Sequence, residues 1–249
     1  MDKEAKKTIE IDRPMVERAK EILGRDFLGV EATKKLEQEL KKVEVNVEFA
    51  IDRLPSFPYT EEDLQVAKFN DEMLVLRPEV MLREERKEPI TLIEFRELFK
   101  LDPLGKMQTL FYSLRPGACD WYKKELFATQ SGKINLGWSL VKKDVLDGST
   151  GINWYDQEEL LRLYGIGLKR KGAKNTSIRR RIPIEAVYDE LLYYVNTGKR
   201  LLQYKLDWGQ SCTSTGRFIC VGYFDSGGIN VSAFLPKESN PTTGTCPCR

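Results

Sequence analysis

The sequence predicts an α+β fold, with a helical N-terminal part and a β-rich C-terminal part. Three observations carry this. Apolar residues recur at helical spacing in several segments, most clearly at Ile184, Val187, Tyr188, Leu191, Leu192 and Val195. Residues 44–51 alternate polar and apolar, as a half-buried strand does. From Trp208 onward the composition changes: residues 208–249 hold only Arg217, Asp225, Lys237, Glu238 and Arg249 as charged side chains, and ten serines and threonines.

Taken in order, the first element is a helix. Asp12 is placed to cap it, Pro14 fits its first turn, and Met15, Ala19, Ile22 and Leu23 share a face. Residues 31–44, rich in Glu, Lys and Leu, continue the helical pattern, and the strand over 44–51 ends before Pro55 and Pro58. Thr60-Glu-Glu-Asp63 is a helix-start box leading to a short helix with Leu64 and Ala67. Met73-Leu-Val-Leu76, closed by Pro78, reads as a buried strand. Arg83 to Glu88 reads as a solvated connector. Thr91-Leu-Ile-Glu94 repeats the box, with a helix running to about Leu101.

Residues 137–141 read as a strand, and Asn153 caps a helix carrying Trp154, Leu160, Leu161 and Tyr164. Pro183 opens the clearest helix and Gly198 stops it. Arg217–Phe224 and Ile229–Leu235 form a hairpin around Asp225-Ser-Gly-Gly228, and residues 236–249 have loop composition. These breaks divide the chain into a helical region 1–58, a mixed region 59–207, and a hairpin-and-loop region 208–249 packed on the preceding part.

The chain has 249 residues, 41% of them hydrophobic and 31% charged, and a formal net charge of +2, which suits a folded globular protein and gives no global signal for nucleic acid. Met1 to Lys7 is charged and no apolar export core follows, nor does any run reach membrane-spanning length. The expectation is a cytoplasmic protein without membrane association. The absence of histidine excludes a histidine base or ligand. Cys212, Cys220, Cys246 and Cys248 lack the spacing of zinc knuckles, so free thiols and no metal or cofactor are expected. Neighbouring carboxylates such as Glu158 and Glu159 diverge on a helix, and Gly165-Ile-Gly167 is no dinucleotide fingerprint. No catalytic motif was found.

One local charge cluster stands out. Lys169, Arg170, Lys171, Lys174, Arg179, Arg180 and Arg181 lie together with no intervening acid. Clustered cations suit phosphate contacts, but no aromatic is interleaved to stack bases. The tract is expected to be a solvated loop, with nucleic-acid binding as the alternative function.

Several stretches resemble an uncharacterised bacterial family frequent in candidate-phyla genomes: residues 59–64 leading to 73–78, 120–125 leading to 137–141, 185–189 with 196–202, and the closing 221–231. The resemblance brings no activity. The C-terminal layout is more weakly similar to the variable proteins of diversity-generating retroelements. That resemblance implies a C-type lectin-like C-terminal part displaying diversified residues, here Tyr223, Asn230, Ser232, Ser239, Asn240, Thr242 and Thr243, whose types suit adenine-directed codon change. Phe218, Phe224, Val231 and Phe234 would anchor the frame. The expected function is a non-enzymatic binding module whose polar face takes an unidentified protein or small ligand. Small hydroxyl side chains on a rigid hairpin make adaptable contacts.

Overall fold

A computed structural model describes residues 3–51, 53–99, 104–105, 110–112, 121–129 and 132–249, with residues 3–12 described by their backbone alone. The helices are α1 (Lys3–Leu23), α2 (Val30–Lys42), α3 (Glu61–Phe69), α4 (Leu92–Leu98), α5 (Trp154–Arg170) and α6 (Pro183–Thr197). The strands are β1 (Phe27–Leu28), β2 (Glu48–Ala50), β3 (Glu72–Arg77), β4 (Val80–Arg83), β5 (Arg86–Pro89), β6 (Gly137–Lys142), β7 (Leu206–Cys212), β8 (Phe218–Asp225), β9 (Gly228–Phe234) and β10 (Thr243–Gly244). The fold is α+β, helical toward the N-terminus and strand-rich toward the C-terminus.

Capping chemistry sets several helix starts. Thr60 Oγ1 accepts from the Asp63 N–H at 3.3 Å while the Asp63 carboxylate accepts from the Thr60 N–H at 3.0 Å, a closed capping box on α3. Thr91 caps α4 and Asn153 caps α5 in the same sense, each accepting from the third helical N–H. Pro183 stands at the start of α6, where its missing N–H costs nothing, and Gly198 ends it at φ 72°.

Four expectations need correction. The first helix begins at Lys3, so Pro14 lies inside it and not in its first turn. The helix expected to reach Leu101 ends at Leu98; Leu101, like Asp120, lies outside the described residues. The charged connector 83–88 is solvated but forms a hairpin: Glu84 and Glu85 both take positive φ, the geometry of a two-residue turn joining β4 to β5. The terminal segment of loop composition supplies β10 and a further extended stretch, because tertiary pairing, not local propensity, decides its backbone.

Among the described residues, three sheets have the strand orders β1-β3-β6, β10-β7-β8-β9 and β2-β4-β5. The first two are joined through the chain's own connections. Residues 247–249 pair antiparallel with β6: the Leu140 N–H donates to the Arg249 carbonyl at 3.0 Å and the Arg249 N–H to the Leu140 carbonyl at 2.9 Å. On the other side, Arg179 and Cys248 exchange both backbone hydrogen bonds at 2.9 Å. The Gln210 N–H then donates to the Arg181 carbonyl at 3.1 Å, which carries the ladder into β7.

Helix α6 lies across this joined surface, and every residue from Pro183 to Val195 is buried. Alternation along β3 places Met73 and Val75 in the core shared with α6, and Leu74 and Leu76 in a second core with α1 and α3. The α6 core also takes Leu36, Phe49, Phe95, Val221 and Ile229, so helical, mixed and hairpin regions share it. Among the described residues no helix is long and apolar enough to cross a membrane.

Candidate functional site

The strand β9 lies at the edge of its sheet, and the site grows from that edge. Its pairing with β8 sets Val221 opposite Val231 and Cys220 opposite Ser232. Ile229, Val231 and Ala233 face the α6 core, while Asn230, Ser232 and Phe234 lie on the other face with Trp208 and Cys220. At the hairpin turn the Asp225 carboxylate accepts from the Gly227 N–H at 2.7 Å. Gly228 follows at φ 103°, and a Cβ there would stand 2.5 Å from the Leu110 carbonyl oxygen. Only glycine lets the 110–112 backbone come this close. The Ile229 N–H donates to the Leu110 carbonyl at 2.6 Å, and the Tyr112 N–H to the Ile229 carbonyl at 2.9 Å.

Beyond this short docked segment a cavity of about 730 Å³ opens against β9. Its strand wall includes Asn230, Ser232 and Phe234, and Tyr112, Trp121 and Tyr122 supply an aromatic wall. The Ser232 hydroxyl donates to the Asn230 side-chain oxygen, which fixes the two against each other. The β7–β8 turn forms the third side. There Thr213 Oγ1 accepts from the Arg217 N–H at 3.1 Å and from the Thr215 N–H at 3.2 Å, holding the turn shut. Glu125 fastens this turn to the aromatic wall, accepting from the Ser214 N–H at 2.8 Å and from its hydroxyl at 3.0 Å. Arg217 is exposed, lines the cavity and has no acidic partner among the described residues.

The expected recognition residues separate into groups. Asn230 and Ser232 line the cavity. Tyr223, Asn240 and Thr242 form a hydrogen-bonded cluster apart from it: the Tyr223 hydroxyl meets the Thr242 hydroxyl, and Thr242 Oγ1 donates to the Asn240 side-chain oxygen at 2.8 Å. Ser239 is exposed in the following loop, and Thr243 is fully buried in β10 against β7. Of the expected anchors, Phe224 is fully buried and Val231 packs on the core, while Phe218 stacks on Trp154 and Phe234 lines the cavity. No sequence motif marks Trp121, Glu125 or Arg217 as a site residue. The uneven wall they build comes from segments about 90 positions apart, and no local pattern announces it.

The basic tract also divides. Lys169, Arg170, Lys171 and Lys174 are exposed; Lys171 sits over the Phe69 ring at 4.6 Å. Arg180 and Arg181, which are buried, correct the expectation of a solvated loop, while Arg179 stays exposed but paired. Arg179 makes a two-pronged pair with Glu185, both contacts at 2.7 Å. Arg180 is buried over the Trp154 ring, donating to Glu158 at 2.6 Å and to the Trp208 carbonyl at 2.7 Å. Arg181 donates to Asp207 at 2.9 Å and to Asp189 at 3.2 Å. Asp189 also holds Arg77 through two contacts, at 2.6 and 2.9 Å. Buried cations survive only when paired and fully hydrogen-bonded, and α6 provides the acids at 185 and 189, one helical turn apart. These three guanidinium groups join helix to sheet and are committed there.

Burial would raise the Glu185 carboxyl, but Arg77 and Arg179 outweigh it and hold it down to about 2. Glu190, beside Asp189 on the same helix, is the opposite case: burial pushes it up to about 8, Arg181 offsets this in part, and Asp207 and Asp189 add to it. Neither of its oxygens has a hydrogen-bond partner among the described residues. Cys220, Cys246 and Cys248 are buried thiols and Cys212 an exposed one. No family model, no curated protein and no solved structure matches the chain.

Proposed function

We propose that the chain is a non-enzymatic binding module, and that its recognition site is the cavity at the edge of β9. One observation carries this reading: a rigid strand, an aromatic wall and an exposed arginine converge on one concavity whose polar groups include Asn230 and Ser232. Concave sites with an aromatic lining and a few convergent polar groups are the usual form of ligand pockets. The resemblance to variable proteins of diversity-generating retroelements adds a specific proposal, that Asn230 and Ser232 are diversified while Phe224 and Val231 stay constant to hold the strand. A nucleic-acid role would rest on Lys169, Arg170, Lys171 and Lys174, since the three arginines that follow are engaged by acids and carbonyls.

The test has two arms. The whole chain and its Trp121→Ala variant are applied to arrays of glycans and of peptides. At least one ligand is expected to bind the parent and to weaken by about tenfold or more in the variant, as loss of a central aromatic contact does. Absence of any ligand sensitive to Trp121 would sink the cavity as a recognition site. Comparison of close relatives within single populations tests the diversification: differences should gather at Asn230, Ser232 and their polar neighbours, and an even scatter along the chain would remove that proposal.

A further inference from the structure

We infer that the ligand of this cavity is an extended peptide bearing an acidic side chain, which adds to β9 as a further strand. The inference rests on the cavity being the recognition site and names what it takes.

Backbone groups along a strand point alternately to one neighbour and the other. The N–H and C=O of Ile229 point away from β8, since Leu110 and Tyr112 take them. Val231 and Ala233 follow at steps of two, so their N–H and C=O point the same way. Their register agrees: Asn230 opposite Gly222 and Ser232 opposite Cys220 are then the pairs bonded toward β8. No backbone partner meets Val231 or Ala233 on the outer side among the described residues. Both residues line the cavity. The result is a row of two unpaired donor–acceptor sets about 6.8 Å apart, the two-residue repeat of an extended chain.

Natural sheets seldom leave such an edge bare, and protect it with charge, proline or a very short strand. The other sheets here follow that practice. The edge strand β5 reads Arg-Lys-Glu-Pro, and β1 has two residues. From Ile229 to Phe234, β9 has neither a charge nor a proline. Among the described residues only its first part is covered, by residues 110–112. Strand addition uses this kind of edge, with backbone bonds giving affinity and flanking pockets reading alternate side chains. Trp121 and Tyr122 on one side, and Asn230, Ser232 and Phe234 on the other, provide those flanks. Glu125 is already held by both donors of Ser214, whereas Arg217 lines the cavity with no acidic partner among the described residues. That imbalance selects an Asp or Glu in the peptide.

The experiment pans random heptapeptides displayed on phage against the whole chain, then resynthesises an enriched peptide with N-methyl groups on one or the other alternate set of its amides. Enriched sequences are expected to be β-branched with an acidic residue. Methylation of one set should weaken binding by about tenfold or more, because it removes backbone bonds, and methylation of the other set should change it little. Arg217→Ala should remove the acidic preference with unchanged thermal stability. Ala233→Pro, which deletes an outward N–H from an edge strand, should match the effect of the sensitive methyl set. Peptides indifferent to methylation in both registers would overturn strand addition while leaving the cavity as a binding site. Glycans bound through Trp121 with no peptide enriched would do the same. If neither class binds, both readings fail.

Discussion

Glu190 sits within the α6 core with Arg181, Asp189, Asp207 and the Cys246 thiol around it, and with no hydrogen bond to either oxygen. An acid whose folded-state pKa is raised binds more protons folded than unfolded, so stability falls as pH rises from the unfolded value near 4.5 and levels off above the folded value of about 8. Glu185 acts in the other direction. Its carboxyl is held down to about 2, so its contribution is complete above the unfolded value and is lost as pH falls toward 2. Glu190→Gln should therefore equal the parent near pH 4.5 and exceed it progressively up to pH 8, by on the order of a few kcal/mol. Chemical denaturation at a series of pH values checks this; parallel curves for parent and variant would mean that Glu190 is ionised in the folded protein. The residue scale is also where the sequence was least legible. Arg180 and Arg181 read as solvent-facing from composition, and the acids that pair with them lie on the helices before and after and on β7, out of local view. The acids at 185 and 189, one turn apart on a helix rich in apolar residues, were the available signal.

At the scale of elements, the starts of α3, α4, α5 and α6 and the C-terminal hairpin were legible because each is written within a few residues: Thr60 with Asp63, Thr91 with Glu94, Asn153 with Asp156, Pro183 and Gly198 around α6, and the turn at Asp225–Gly228. What stayed hidden depended on distant partners. Residues 110–112 become part of a sheet only through β9, and the cavity wall at Trp121–Glu125 is placed by the β7–β8 turn. Helix α6 gives the measurable case. Leu191 is fully buried in the main core, and Leu191→Ala should cost about 2–5 kcal/mol. A loss below about 0.5 kcal/mol in urea unfolding, the range of surface changes, would show that this helix face is not packed as described.

For the whole molecule, the decisive element is the stretch 247–249. It pairs with β6 on one side and with Arg179 on the other, and the Arg249 side chain reaches Glu72 at 2.9 Å and Asp63 at 3.2 Å, deep beneath α3. Removing residues 247–249 should break the ladder between the two sheets and leave Asp63 and Glu72 buried without their cation. We expect unfolding to lose its single transition, with circular dichroism and tryptophan fluorescence no longer coincident. Coincident transitions with an unchanged midpoint would show that the sheets hold together without this stretch.

The same stretch governs what happens during synthesis. Every other strand of the joined surface leaves the ribosome before residue 249 does, so the β6 edge at Val141 and the Arg179 edge wait, open and side by side, for a late arrival. Open edges are templates for foreign strands, and the interval before closure is when a nascent chain pairs wrongly. Slowing translation over the codons for residues 236–249 should lengthen that interval and raise the insoluble fraction, even though the finished protein is unchanged.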